Sequence, residues 1–384
     1  RPIVPHPLRP LPIPPPSSAK VCDRCGCSSD HQIKREFDQP DPLIINLNLV
    51  DHLSSSVSRS QSELFDPNQL SLVNKVWSSI RDVYCQHPMI SSETSIELLD
   101  HSLPQSDKLL QTISLNLDSI KFGLPTQYIF TKTSQAGKTG SLRADYFRRH
   151  IRSITDHLVR LKKNGGRYLP ETEAKWGNSP RQLVWLIIED GEKLSESIRS
   201  VLENENGLIP YVYYVYGPTH RYGNAQQNSA YALIHRMVSY LGHGPVVSID
   251  DDGKVLPELF DIVWRVRRLG VWPMGNLTPF KWEGPEYDEE THEFKDWLRS
   301  ESDNRPFPLD NGAFAFSSQV FGTNHRLKGP RYWPTDYPGG ESEFVSQILP
   351  RQDLVEPLCY NCRVAWHNQA LKPDCVAHLP TCDE

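Results

Sequence analysis

The sequence predicts an α/β protein built on an open sheet, because strand-like and helix-like stretches alternate through its middle and the strand-like ones end in carboxylates. Two stretches carry most of this reading. Leu183-Val184-Trp185-Leu186-Ile187-Ile188 is closed by Glu189-Asp190, and Val246-Val247-Ser248-Ile249 runs directly into Asp250-Asp251-Asp252 before Gly253 turns the chain. In open α/β sheets ligands collect at the carboxyl ends of the strands, so Asp190 and the Asp250 to Asp252 triplet mark the expected site. Three adjacent acids repel one another, and a hard divalent cation, which takes oxygen ligands, would relieve them. An acidic turn open to water is the alternative.

A chain of 384 residues is long enough for one large or two ordinary domains with a sizeable core. The net charge of -6 and the pI near 6.2 provide no global basic field, and no strong local patch stands out, so a nucleic-acid partner is not expected. No apolar run is long enough to span a bilayer, and Arg1 opens no signal-peptide pattern. The expectation is a soluble chain, or one whose anchor lies outside it. Cys22, Cys25 and Cys27 cluster early, Cys85 stands alone, and Cys359, Cys362, Cys375 and Cys382 fall late. Disulfides in an oxidising compartment fit this distribution, and so does a structural Zn²⁺ on the two C-x-x-C pairs, Cys22, Cys25, Cys359 and Cys362.

Taken in order, residues 1–40 read as a proline-rich, cysteine-bearing stem or linker, since eight of the first sixteen residues are proline and favour extended polyproline chain. Such a segment is also a candidate surface for a protein partner. Residues 41–123 read as a helical extension. Within it Asn68 to Tyr84 places Leu72, Val73, Val76, Trp77, Ile80 and Val83 at helical spacing, and Asp107 to Ile120 repeats the pattern more loosely.

From Leu124 the texture changes. Gln127 to Thr131 is strand-like, and Leu142 to Lys162 is a strong helix with Tyr146, Phe147, Ile151, Ile154, Leu158 and Leu161 on one face. A short helix is expected around Leu194 to Leu202, a strand over Tyr211 to Tyr216, and a helix over Asn224 to Leu241. That last helix has Gln226, Gln227 and Asn228 in its first turn, where free backbone N–H groups suit a phosphate. Pro257 to Arg268 reads as a helix with proline near its first position, Leu269 to Pro273 as a strand, and Glu341 to Leu349 as a helix after Gly339-Gly340.

The order of blocks is specific. Ser248 to Asp252, Glu258-Leu259-Phe260, Arg267-Arg268, Gly270 to Pro273, Glu283-Gly284-Pro285, Arg305 to Asp310 with Gly312 to Ala315, Glu341-Ser342, and Trp366-His367 with Lys372-Pro373 follow one another. In this the chain resembles the β-1,3-glucuronyltransferases and their plant relatives, the family 43 glycosyltransferases, from about residue 125 to 373. The resemblance implies a GT-A fold over residues 124–373, leaving 374–384 as a cysteine-bearing tail. It implies inverting, Mn²⁺-assisted transfer of glucuronic acid or xylose from a UDP-sugar to a glycan hydroxyl, a homodimer, and a Golgi lumenal setting with a type II anchor absent from this chain. A soluble subunit of a larger assembly in another organelle is the alternative setting.

By position, the resemblance assigns Asp252 to the metal, and Thr131, Thr133, Asp190, Gln227, Asp250, Asp251 and His367 to the nucleotide sugar. It assigns Glu283, Arg305 and Asp310 to the acceptor and Glu341 to the base that takes the acceptor's proton, held ionised by its helix terminus. The chain also departs from the family. Tyr222, Gln227 and Gln369 stand where the glucuronyl-transferring members carry arginine, and Lys132 replaces a proline of the first nucleotide loop. Each lost charge-assisted contact forfeits ~1.5–3 kcal/mol. The alternative function is therefore a catalytically degenerate member acting as a scaffold subunit.

Overall fold

A computed structural model describes residues 67–86, 113–134, 142–163, 180–219, 223–275, 282–288, 290–291, 293–298, 305–321, 340–360 and 362–366. Its helices are α1 (Pro67–Gln86), α2 (Arg143–Lys163), α3 (Glu196–Glu205), α4 (Asn224–Met237), α5 (Pro257–Ile262) and α6 (Glu341–Ile348). Its strands begin with β1 (Ile113–Asn116), β2 (Thr126–Ser134), β3 (Gln182–Asp190), β4 (Tyr211–Val215), β5 (Pro245–Ser248), β6 (Lys254–Val255) and β7 (Leu269–Val271). They continue with β8 (Met274–Gly275), β9 (Trp282–Glu283), β10 (Pro285–Tyr287), β11 (Phe294–Trp297), β12 (Phe314–Ser317), β13 (Glu356–Pro357) and β14 (Ala365–Trp366).

Eight strands form the main sheet in the order β1-β4-β3-β2-β5-β12-β7-β13. The run β4-β3-β2-β5 is parallel throughout, β1 closes one side antiparallel to β4, and β12 lies antiparallel between β5 and β7. Chain order steps outward from β2 to β3 and β4 on one side and to β5 on the other. The order therefore reverses between β2 and β5, and an open α/β sheet has its crevice at the carboxyl ends flanking that reversal. Two smaller sheets, β6-β14-β8-β9 and β10-β11, lie outside the main one.

Because side chains alternate along a strand, the parallel strands bury two faces and read as continuous apolar runs. Ile129, Trp185, Ile187, Tyr213 and Val247 point to one face, where they meet Phe147, Ile151 and Ile154 of α2, Ile198 and Val201 of α3, and Phe260 of α5. Tyr128, Phe130, Leu186, Tyr214 and Val246 point to the other, against Tyr231 and Leu233 of α4 and Phe344 and Val345 of α6. The same core takes in Leu72, Val76, Ile80 and Val83 of α1, four of the six apolar positions the spacing selects. Val73 is half-buried there. An ion pair of Arg236 with Asp82 at 3.0 Å also joins α1 to α4. Such a partly exposed pair contributes about 0–1 kcal/mol, against about 1.5–3 kcal/mol for each buried aliphatic side chain, so burial decides where α1 sits.

The structure corrects two expected elements. The looser helix of residues 107–120 is absent over its described part: Ile113 to Asn116 is β1, whose Ile113 pairs opposite Tyr214 on the edge of the sheet. Local spacing could not anticipate that edge, and the packed unit consequently begins before Leu124. The helix expected over Pro257 to Arg268 stops at Ile262, passes through a 3₁₀ turn at Val263–Arg265 and becomes extended at Val266. There the backbone N–H groups of Arg267 and Arg268 donate to the Glu356 carboxylate at 2.6 and 2.7 Å. A long-range acceptor thus replaces the helical carbonyls and releases the chain into β7.

If α1 belongs to the main core, Ile80→Ala lowers the unfolding free energy by about 2–5 kcal/mol in denaturant titration. A change near zero would separate α1 from the domain.

Candidate functional site

The carboxyl ends of β3, β2 and β5 lie side by side and carry the polar residues of the crevice. On β3, Asp190 accepts from the Thr219 backbone N–H at 2.6 Å and from its hydroxyl at 3.0 Å. The close approach needs glycine at 217, because a Cβ there would come within 2.3 Å of Asp190 Oδ1. Glu189, one residue earlier, is buried on the opposite face and accepts from the Tyr213 hydroxyl at 2.5 Å. Burial and this carboxylate hold the Tyr213 hydroxyl well above its ordinary pKa.

The triplet is divided by the same alternation. Asp250 accepts from the amide of Asn311 at 3.2 Å, and Asn311 in turn donates to Ser248 at 2.6 Å and accepts from Gln227 at 2.9 Å. Asp251 turns toward α2, where it pairs with Arg143 and accepts from the Thr133 hydroxyl at 2.8 Å. Asp252 is half-buried, and its charge is felt by Arg143 and Arg149, two guanidiniums whose pKa values burial otherwise lowers. The turn itself is closed by Gly253 N–H to Asp250 O at 3.1 Å and braced by His150, whose Nε2 lies 3.0 Å from the same carbonyl. Burial lowers the His150 pKa to about 4, so the ring is neutral near pH 7 and its Nε2 carries the proton given to that carbonyl.

The opposite wall is made by α6. Glu341 lies at its first position, with Arg305 Nη1 3.9 Å from its carboxylate. Burial raises the Glu341 pKa first of all; its own backbone N–H opposes this, the Asp310 charge reinforces it, and Lys132 and Arg305 oppose it. The terminal N–H favours the ionised carboxylate, as expected, but desolvation outweighs it and leaves the pKa raised. Lys132 reaches this wall from the end of β2. Its side chain passes Gly223, which caps α4 at φ +80, and a Cβ at Gly223 would sit 3.3 Å from Lys132 Cδ.

Asp310 accepts from Gly312 N–H at 2.9 Å and so fixes the 3₁₀ turn that presents Asn311. Glu283 is buried on β9, opposite Met274 of β8, and the Met274 side chain packs against Gly312 in the same turn. β14 adds Trp366 beside Lys254, directly after the triplet. His367 lies outside the described residues, as do Tyr222 and Gln369.

Two further expected contacts fall differently. Thr131 is fully buried and accepts from the Trp185 indole N–H at 2.9 Å, so its hydroxyl belongs to the core on the α2 side. Gln227 is fully buried as well, with its amide nitrogen given to Tyr231 at 2.8 Å and to Asn311. Sequence reasoning missed Arg143, His150, Thr219 and Asn311. The signal for the first two was present: both are polar residues seven apart, hence on one face of the helix. Among the described residues no group of three or more His, Cys, Asp or Glu side chains forms a metal cage, and no helix is long and apolar enough to cross a membrane. Cys359 and Cys362 are joined as a disulfide; Cys22 and Cys25, the other two cysteines of the zinc alternative, lie outside the described residues.

Carboxylates gathered at the ends of β3 and β5, with Glu341 of α6 within electrostatic reach of Lys132 at the end of β2, form the polar centre of this α/β protein. The model of Glycosyltransferase family 43 matches residues 178–370, half of the chain, and the chain belongs to that family. A Drosophila melanogaster galactosylgalactosylxylosylprotein 3-beta-glucuronosyltransferase I is 27% identical over 212 residues, covering 51% of this chain and 68% of that protein. The Mus musculus galactosylgalactosylxylosylprotein 3-beta-glucuronosyltransferase 2 is 28% identical over 203 residues, covering 50% of this chain and 60% of its own length. Among solved structures, Staphylococcus aureus TarS 1-349 overlaps 64% of this chain and 60% of its own at a TM-score of 0.37 and 9% identity. At that score the overlap is too loose to transfer any property.

A raised carboxylate pKa means the folded protein binds the Glu341 proton more tightly than the unfolded chain does. That contribution to stability is complete below the ordinary glutamate range and is lost as pH rises through the raised value. Glu341→Gln is therefore expected to melt higher than the unsubstituted protein near pH 7, the gap closing as pH falls below about 4. Thermal midpoints across that range read it directly.

Proposed function

We propose that this chain is an inverting glycosyltransferase that moves a sugar from a UDP-sugar to a carbohydrate hydroxyl, with Glu341 as the general base. The observation that carries the reading is the buried, raised-pKa carboxylate of Glu341 set between Arg305 and Asp310. A carboxylate whose pKa is raised by burial is a stronger base for a hydroxyl proton than an exposed one. In the step, the acceptor O–H gives its proton to Glu341 while its oxygen bonds to the anomeric carbon. The bond from that carbon to the diphosphate breaks, and the nucleoside diphosphate leaves with the electron pair. Arg305, Asp310 and Glu283 orient the acceptor; Asp190 and Asp250 serve the nucleoside end; Lys132 and the first turn of α4 serve the phosphate oxygens. Membership of the family and the printed activities of the relatives support the reaction class.

Mn²⁺ would be held by substrate and protein together. Among the described residues no all-protein cage surrounds the half-buried Asp252, and a hard cation bound there would complete its shell with phosphate oxygens and water. When bound, the ion supplies positive charge against the leaving diphosphate.

Gln227 favours an uncharged donor such as xylose over glucuronic acid. Its amide is neutral, buried and committed to Tyr231 and Asn311. The same residue favours a second reading, a degenerate subunit that keeps the fold as a scaffold and uses its proline-rich segment to bind a partner. Lumenal placement in the Golgi and pairing as a homodimer belong to the first reading.

Calorimetry with uridine diphosphate separates the two: binding that requires Mn²⁺ and vanishes in Asp252→Ala supports the transferase, and no binding by the unsubstituted protein supports the scaffold. With activity in hand, Glu341→Ala is expected to lose ~10²–10⁴-fold in transfer while still binding uridine diphosphate. Full turnover in that variant would remove Glu341 from the mechanism. Asp310→Asn, which deletes a like charge, moves the rising limb of the pH–rate profile to lower pH, and Arg305→Ala moves it higher.

A further inference from the structure

The stretch Arg305-Pro306-Phe307-Pro308-Leu309-Asp310 runs in no strand or helix. Its two prolines fix φ and remove two backbone donors, so between the charged ends only Phe307 and Leu309 carry an N–H. Leu309 gives its own to the Phe307 carbonyl at 2.8 Å. Phe307 is buried, and a buried N–H with no ladder to join needs an acceptor from elsewhere. The Ser342 hydroxyl, itself buried in the first turn of α6, accepts it at 2.8 Å. The Gln352 amide donates to the neighbouring Pro306 carbonyl. The Phe307 ring, packed beside Trp297, keeps the stretch on the core, and the serine fixes its register against α6.

Ser342 directly follows Glu341, and both ends of the clamped stretch act on that carboxylate. Arg305 Nη1 lies 3.9 Å from it, and the Asp310 charge reaches it. We propose that Ser342 is a positioning residue: its hydroxyl locks the Arg305 to Asp310 stretch to the first turn of α6 and so sets where Glu341 stands relative to Arg305 and Asp310. The inference rests on the reading of Glu341 as the general base. The helix itself is held independently, because Phe344 and Val345 lie in the core and the Phe344 ring packs on Tyr231 and Phe314. Without the hydroxyl α6 therefore stays, while the Phe307 N–H loses its acceptor and turns toward water, carrying Arg305 and Asp310 out of register with the base.

Ser342→Ala and Ser342→Thr are compared with the unsubstituted protein; Ser342→Cys, close in volume to serine but a weak acceptor, gives the same readings if the alanine variant does not fold. Without ligand, hydrogen exchange at the Phe307 amide speeds up about tenfold or more in Ser342→Ala, and an unchanged rate overturns the bond. The Glu341 carboxyl is followed by NMR titration in the same samples. Burial is the largest cause of its raised pKa, so a loosened stretch that admits water moves the midpoint down toward the ordinary glutamate value, whereas Ser342→Thr keeps a hydroxyl and holds it. A midpoint that stays put in Ser342→Ala overturns the positioning role. In transfer assays kcat falls about tenfold to a hundredfold in Ser342→Ala, the KM for the donor stays, and the rising limb of the pH–rate profile shifts down with the titration. A lower melting midpoint with kcat and that limb unmoved also overturns the proposal, since Ser342 would then serve stability alone. If the unsubstituted protein transfers nothing, the base reading fails, while exchange and titration still decide the clamp.

Discussion

Carboxylates crowd the carboxyl ends of adjacent parallel strands, and their mutual repulsion has to be relieved before that edge can stay half-buried. Glu189 and Asp190 end β3, and the Asp250 to Asp252 triplet follows β5. Two such charges about 4 Å apart cost about 4 kcal/mol at a typical effective dielectric, comparable to a large part of a domain's net stability. The surroundings of the crevice answer this demand. Tyr213 serves Glu189, Thr219 serves Asp190, Asn311 serves Asp250, and Arg143 with Thr133 serves Asp251. Each partner comes from a different segment, so the tertiary fold and the neutralisation of the strand ends depend on one another.

The period of two along a strand sorts these groups by role. Residues of one parity face α2, where Glu189 accepts from a tyrosine and Asp251 pairs with a guanidinium; the other parity, with Asp190, Asp250 and Lys132, faces α4 and α6. The row of acids is thus divided between the two faces. Glu341 stands across from that row. Its raised pKa follows from burial and from Asp310, with Arg305 and Lys132 keeping the rise in check.

Gln227 links the first turn of α4 to the acidic turn. Its buried amide is tied to Tyr231 and Asn311, and Asn311 is the residue that holds Asp250. The amide is thus part of the hydrogen-bond web that supports the acidic turn. A charge at 227 would have to be desolvated in that web, which links the neutrality of the position to its packing.

Much of the architecture was legible before folding. The apolar run of Leu183 to Ile188, the helical stripe of α2 and the β-branched lead into the aspartates are local patterns, because periodicity and the strand-end position of acids depend only on neighbours in the chain. The ordered blocks likewise pointed to the family. Tertiary structure decided the rest. It made Ile113 to Asn116 a strand by supplying an edge, cut α5 short through Glu356, buried Thr131 against Trp185, and raised the Glu341 pKa by desolvation. It also brought Arg143, more than a hundred positions away in the chain, to Asp251. The physical reason is common to all of these: hydrogen-bond partners, charges and water exclusion act through space, and sequence spacing carries no record of which distant groups a fold will bring together.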